Sequence, residues 1–172
     1  MQRMLILLLF AVLFTALPLA SQTTVDPAAI DRPAVSSAPI FDPAANPAKD
    51  LDSVIVIAMT SNKRILLDVG GEWCKWCHYL DKFFETNQDV ADFLHSNFVV
   101  VKVNFSKENK NEAFLSGYPK VAGYPHFFVL ESDGTFLHSQ DTGALENGSK
   151  ENPGHDHDKV LAFLTAWAKP TK

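Results

Sequence analysis

Cysteine is scarce. Of 172 residues only Cys74 and Cys77 carry thiols, which excludes a small fold stapled by several disulfides. The chain also has no basic block: 15 Lys and Arg stand against 20 Asp and Glu, a formal charge of −5. Nucleic-acid binding leans on phosphate neutralisation, so no nucleic-acid partner is expected. Apolar residues make up 47% and charged residues 20%, which argues against collagen, coiled-coil and low-complexity classes. There is no internal repeat, and the length suits one ordinary domain whose fold must stand on its own hydrophobic core.

The one long apolar run lies at the start, from Met4 to Leu17, broken only by Thr15. It is shorter than the roughly 20 residues of a transmembrane helix. With Arg3 before it and Pro18, Ala20 and Ser21 after it, residues 1–21 read as an export signal cut after Ala20 or Ser21. The alternative is an uncleaved anchor, so membrane contact is expected only if the signal stays. No cysteine lies near the cut, which argues against a lipid anchor. Without Arg3 the mature chain has 14 basic against 20 acidic side chains, a net charge of −6. The expected address is periplasmic or secreted, where disulfides form and persist. Residues 22–45 hold Pro27, Pro33, Pro39 and Pro43 among Ala, Ser, Thr and Asp. Such a segment buries too little to offset its ordering entropy, so it reads as a tether. A docked arm, held by Ile40 and Phe41, is the alternative.

The folded domain is expected over residues 46–172. Asn46 followed by Pro47 signals a helix start, and Leu51, Val54, Ile55 and Ala58 recur at helical spacing. Arg64 to Val69 reads as a buried strand containing Asp68. Helical spacing resumes with Cys77, Leu80, Phe83 and Phe84, and a short helical piece covers Asp89 to Leu94. Phe98 to Phe105 is a β-branched and aromatic strand with Lys102 inside it, and Glu108 to Leu115 is weakly helical. Two strands, His126 to Glu131 and Thr135 to Gln140, flank the turn Ser132-Asp133-Gly134. A last helix carries Val160, Leu161, Leu164, Trp167 and Ala168 on one stripe. The order predicts an α/β fold, a mixed sheet covered by helices on both faces.

Cys74 and Cys77 fall at a strand-to-helix junction. A thiol at a helix N-terminus meets unpaired N–H groups and the positive end of the dipole, which favour the thiolate. A second thiol three residues on can close a small ring. Thiol–disulfide exchange needs both, a nucleophile and a thiol that resolves the mixed disulfide. Cys74 fits the first role and Cys77 the second. Lys75 and His78 add positive or titratable character nearby. An inert bridge would close so small a loop that it constrains the unfolded chain little. The sharper rival is a metal-handling protein using Cys74, Cys77 and nearby histidines, among them His78, His155 and His157. A structural zinc site usually wants four ligands, and no second cysteine pair exists. No metal and no other cofactor is therefore expected beyond the redox pair itself. His95, His126 and His138 are read as packing residues, and Asp156 or Asp158 as a helix cap.

The run Ile65 to Cys77 (ILLDVGGEWCKWC) resembles the active-site segment of thioredoxin-like proteins. Val101-Lys102-Val103-Asn104 resembles their central strand, Val121 to Pro125 the loop that holds a cis-proline, and His126 to Gly134 and then Gly143-Ala144-Leu145 the closing hairpin and the turn after it. The resemblance spans nearly everything from Asn46 onward. It implies a three-layer α/β/α sandwich, with Asp68 as the buried acid that moves a proton from the resolving thiol and Lys102 as its basic partner. An acid in an apolar strand would have its neutral form favoured by desolvation, which suits that role. It further implies a cis bond before Pro125, and Tyr124 beside it offering backbone groups to an extended substrate strand. Trp73 would form an apolar rim by the sulfur. The Lys75-Trp76 dipeptide and the Gly70-Gly71 pair depart from thioredoxin itself and bring the pattern closer to exported members, including the C-terminal domain of transmembrane thiol reductases. The implied activity is an exported thiol–disulfide oxidoreductase acting on protein thiols and disulfides with an upstream reductant or oxidant, in a monomer. The direction of electron flow is open.

Overall fold

A computed structural model describes residues 39–170. The export signal expected over 1–21, and residues 22–38 of the tether expected over 22–45, lie outside the described residues. The elements follow one another as α1 (Pro47–Ser61), β1 (Arg64–Gly70), α2 (Lys75–Thr86), α3 (Gln88–Asn97), β2 (Phe98–Asn104), α4 (Glu112–Leu115), β3 (His126–Leu130), β4 (Phe136–Asp141), a 3-10 turn (Thr142–Leu145) and α5 (His157–Trp167). The local causes are those the residues suggest. Asn46 caps α1 by accepting from Lys49 N, with Pro47 at the first helical position. Asp156 caps α5 by accepting from Lys159 N. Gly134 turns the β3–β4 hairpin at φ 88°, in the left-handed region that glycine enters without steric cost.

The sheet runs β2-β1-β3-β4. β1 and β2 are parallel, with Asp68 opposite Lys102 and Gly70 opposite Asn104. β3 lies antiparallel to β1, with Val69 opposite His126, and β4 antiparallel to β3 with an irregularity at Val129/Leu130. Because side chains alternate along a strand, Ile65, Leu67 and Val69 face one layer, where Ala58 of α1 and the partly buried Phe114 and Leu115 of α4 join them. Leu66 faces the other, with Leu80 and Phe83 of α2, Val90 and Leu94 of α3, and Val160, Phe163 and Leu164 of α5. The result is the α/β/α sandwich with a mixed sheet that the sequence predicts. Asp68 and Gly70 share the second face, under α2.

One expectation needs correction. Residues 39–45, read as the end of the tether, are packed on the domain. Phe41 is 1% exposed; its N–H donates to Glu72 Oε1 at 2.7 Å, and Asn109 Nδ2 donates to Pro43 O at 2.9 Å. The prolines around it mask what one buried ring and two hydrogen bonds do, and the docked arm is the arrangement seen.

Candidate active site

β1 ends at Gly70, and the chain turns through Gly71-Glu72-Trp73 into α2, with Cys74 N donating to Gly71 O. The pair of glycines answers a packing need. A Cβ on Gly71 would lie 2.6 Å from Trp73 Nε1 and 2.7 Å from Phe105 O; one on Gly70 would lie 2.5 Å from Cys77 Sγ. Cys74 is the N-cap of α2, and its Sγ accepts from Cys77 N at 3.1 Å. Cys74 and Cys77 are joined as a disulfide, 4% and 2% exposed. A thiolate at the Cys74 position would keep this N–H and the helix end beneath it, which lowers the cost of the charge.

The acid and base lie on the same face as Gly70. Asp68 is 3% exposed, and its Oδ2 accepts from Lys102 Nζ at 2.8 Å. Its Oδ1 is buried without a hydrogen-bond partner among the described residues, a lone pair turned to no other donor. Lys102 also donates to Asp81 Oδ1 of α2 at 3.4 Å. Burial alone would lower the Lys102 pKa, but the Asp68 carboxylate, with Asp81 behind it, holds it above the usual lysine value. Lys102 thus ties β2, β1 and α2 together under the disulfide.

Across the turn, β3 begins where β1 ends, so the register puts Tyr124 and Pro125 beside the Cys74 turn. The Tyr124–Pro125 bond is cis, and Thr142 Oγ1 donates to Pro125 O. Tyr124 packs against the cluster of Phe41, Cys74 and Cys77. Trp73 is 58% exposed, is fixed by donating from Nε1 to Phe105 O at 2.6 Å, and meets Tyr124 edge-on at 5.7 Å. Phe105 stacks on Tyr124 at 4.8 Å. The three rings form a shelf next to the disulfide, and a cavity of about 440 Å³ opens beside it, lined by Trp73, Phe105, Ser106, Lys107, Glu108 and Lys110.

All seven candidate residues therefore lie around the end of β1. Two neighbours are engaged elsewhere: the Lys75 ammonium lies 5.3 Å from the Tyr79 ring centre, and His78 Nε2 donates to Glu72 O at 2.9 Å. The sequence gives no sign of Asp81, Phe105 or Glu72 at the site, and offers Phe41 only as the anchor of a docked arm, not as a neighbour of the sulfurs. The Gly70-Gly71 pair was the signal available, since two adjacent glycines before Trp73 mark a close approach. The histidines weighed as ligands are dispersed. His157 donates to Asp89 Oδ2 at 2.7 Å and Asp158 Oδ1 at 2.9 Å, while His155 is buried edge-on to Trp76 and Phe83. Among the described residues no three His, Cys, Asp or Glu side chains come together in a way that could hold a metal.

A dithiol–disulfide pair capping a helix, over a buried acid–lysine pair and beside a cis-proline, defines a protein of the thioredoxin class. The chain belongs to the Thioredoxin-like family, whose model matches residues 46–132. It is similar to the crystal structure of a disulphide isomerase from Xylella fastidiosa Temecula1, at 24% identity and a TM-score of 0.64, over 76% of this chain and 98% of that one. It is also similar to the oxidised C-terminal domain of Neisseria meningitidis DsbD, at 17% identity and a TM-score of 0.51, over 72% and 97%. An uncharacterized Caenorhabditis elegans protein, B0495.5, is 43% identical over 112 residues; these are 63% of this chain, and only 14% of that protein's length is spanned. The fold and the Cys74–Cys77 disulfide together support a redox function.

Proposed function

We propose that the protein is a thiol–disulfide oxidoreductase that works outside the cytoplasm on cysteine pairs of other polypeptides. The observation that carries this reading is the Cys74–Cys77 disulfide itself, capping α2 with the Cys74 sulfur held on the Cys77 N–H. In the reducing direction the Cys74 thiolate attacks a substrate disulfide. One substrate sulfur joins Cys74 and the other leaves as a thiolate that takes a proton. Cys77 then loses its proton to Asp68, the nearby buried carboxylate, and attacks Cys74 Sγ. The second substrate sulfur departs with its electron pair and is protonated. The substrate gains two electrons and the domain ends as the disulfide. The reverse sequence oxidises a dithiol, so the upstream partner is a reductant in one direction and an oxidant in the other.

The aromatic shelf of Trp73, Tyr124 and Phe105 suits an extended polypeptide, and no redox cofactor is required by this chemistry. The apolar run of residues 4–17 supports export. The titres of free thiol and disulfide in glutathione buffers of known ratio test the reading directly. A Cys77→Ala variant is expected to hold substrates as mixed disulfides on Cys74 that a reductant releases. Wild-type protein that equilibrates with no dithiol, or purified reduced protein that carries one tightly bound metal and loses its activity to a chelator, overturns the reading in favour of metal handling.

A further inference from the structure

We propose that Phe41 is a positioning residue of the exchange site, sealing the Cys77 sulfur and the Asp68 carboxylate beside it from water so that the Cys77 proton leaves through Asp68. This rests on the oxidoreductase reading above. Phe41 lies outside the strands and helices, yet it is 1% exposed and forms one cluster with Cys74 and Cys77. The space above Gly70 shows what it does there. A Cβ built on Gly70 would meet Cys77 Sγ at 2.5 Å and Phe41 Cζ and Cε1 at 2.8 and 3.1 Å, so ring edge and sulfur flank the same bare backbone. The other side of the interaction is Lys102, whose Nζ stands 5.1 Å from the ring centre, within cation–π range. The ring therefore spans from the resolving sulfur to the ammonium that holds Asp68.

A phenyl ring neither donates to nor solvates a thiolate. Placed against Cys77 it makes ionisation to bulk water costly, and it leaves Asp68 as the buried base on that face. The charged and titratable groups on the elements packed there are Asp68 of β1, Lys102 of β2, Asp81 and His78 of α2, Glu72 of the turn and Tyr124 before β3. Two anchors hold the ring: Glu72 Oε1 accepts from Phe41 N, and Asn109 Nδ2 donates to Pro43 O. Glu72 lies two residues before Cys74, so the segment before α1 is fastened to the reactive turn itself.

The test uses the full chain with Cys74→Ser, leaving Cys77 as the one thiol, and follows its alkylation by iodoacetamide across a pH series. With Phe41→Ala added, the rate at neutral pH is expected to rise about tenfold or more, and the half-maximal pH to fall toward about 8.5, the ordinary cysteine value. Phe41→Leu, which keeps apolar cover, is expected to stay within about twofold of the parent. Thermal unfolding establishes that each variant is folded. If the alanine variant is not, Glu72→Ala carries the test, with a rise of about threefold expected. An unchanged rate and pH midpoint in the folded alanine variant, or in Glu72→Ala where that variant is unfolded, overturns the proposal. So does a leucine variant as fast as the alanine one. Alkylation needs no turnover, so a protein that fails to exchange with glutathione sinks the oxidoreductase reading while this measurement still stands.

Discussion

Gly70 is where strand, disulfide and arm converge. An alanine there brings its Cβ to 2.5 Å from Cys77 Sγ and 2.8 Å from Phe41 Cζ. Neither neighbour is the free end of a flexible chain, since one is in a four-residue ring and the other is buried. Overpacking of this kind costs about 1–3 kcal/mol. Gly70→Ala is expected to lower the unfolding free energy by that amount, read as a lower urea midpoint at unchanged m value, and to slow reoxidation of the dithiol, measured by thiol titre. His155 offers a second single-residue test. It is 6% exposed, with both ring nitrogens unpartnered among the described residues, and burial pushes its pKa down to about 4. The unfolded chain titrates near 6.5 and takes up the proton first, so stability is full above that pH and falls as pH drops toward 4. The difference amounts to about 3 kcal/mol. His126, also held low by burial, adds to the same slope. His157, raised by its bonds to Asp158 and Asp89, acts oppositely, its contribution fading as pH rises through its folded value. His155→Phe is expected to shrink the loss of unfolding free energy between pH 7 and pH 4.5 by about 2–3 kcal/mol; urea titrations with an undiminished slope would show that His155 is not the group responsible.

At the level of elements, a cap governs whether a helix starts where the site needs it. Asp156 accepts from Lys159 N, and Asp156 N donates to Leu145 O, so α5 is fixed to the turn after β4. Asp156→Ala is expected to cost about 1 kcal/mol, read as a lower urea midpoint with an unchanged m value. Elements of this sort are legible in sequence because their causes are local. Asn46-Pro47 announces α1, Phe98 to Asn104 is β-branched, and Ser132-Asp133-Gly134 turns a hairpin. The reactive turn was legible for the same reason, a cysteine pair straight after an apolar strand. What escaped depends on distant partners. Phe41 stands among prolines, alanines and an aspartate, and its acceptor Glu72 lies 31 residues on. Asp81 shows no motif on its own helix, and only the sheet register of Asp68 with Lys102 brings an ammonium under it. Phe105 read as the end of a strand, yet its carbonyl fixes Trp73, because β2 stops at Asn104 and the loop doubles back through Asn104, Ser106 and Asn109.

Over the whole molecule, the direction of electron flow and the stability of the fold are one quantity. Oxidised and reduced, folded and unfolded states form a closed cycle. The difference in unfolding free energy between the two redox forms equals the preference of the folded domain, over the unfolded chain, for the disulfide. Closing a four-residue ring removes only about 2 kcal/mol of chain entropy from the unfolded state, so the native surroundings decide the sign. Two of them oppose each other. The Cys77 N–H and the start of α2 favour a thiolate on Cys74 and hence the reduced form. Burial of both sulfurs against Phe41, Trp76 and Tyr124 penalises that charge and leaves an uncharged disulfide untouched. With both sulfurs nearly inaccessible, burial is the larger effect. The oxidised protein is therefore expected to unfold roughly 5–10 °C above the protein kept in dithiothreitol, as a domain that gives up electrons readily would. Calorimetric scans of the two forms decide it. A reduced form that melts higher instead would make the domain an oxidant, with the end of α2 outweighing the aromatic cover.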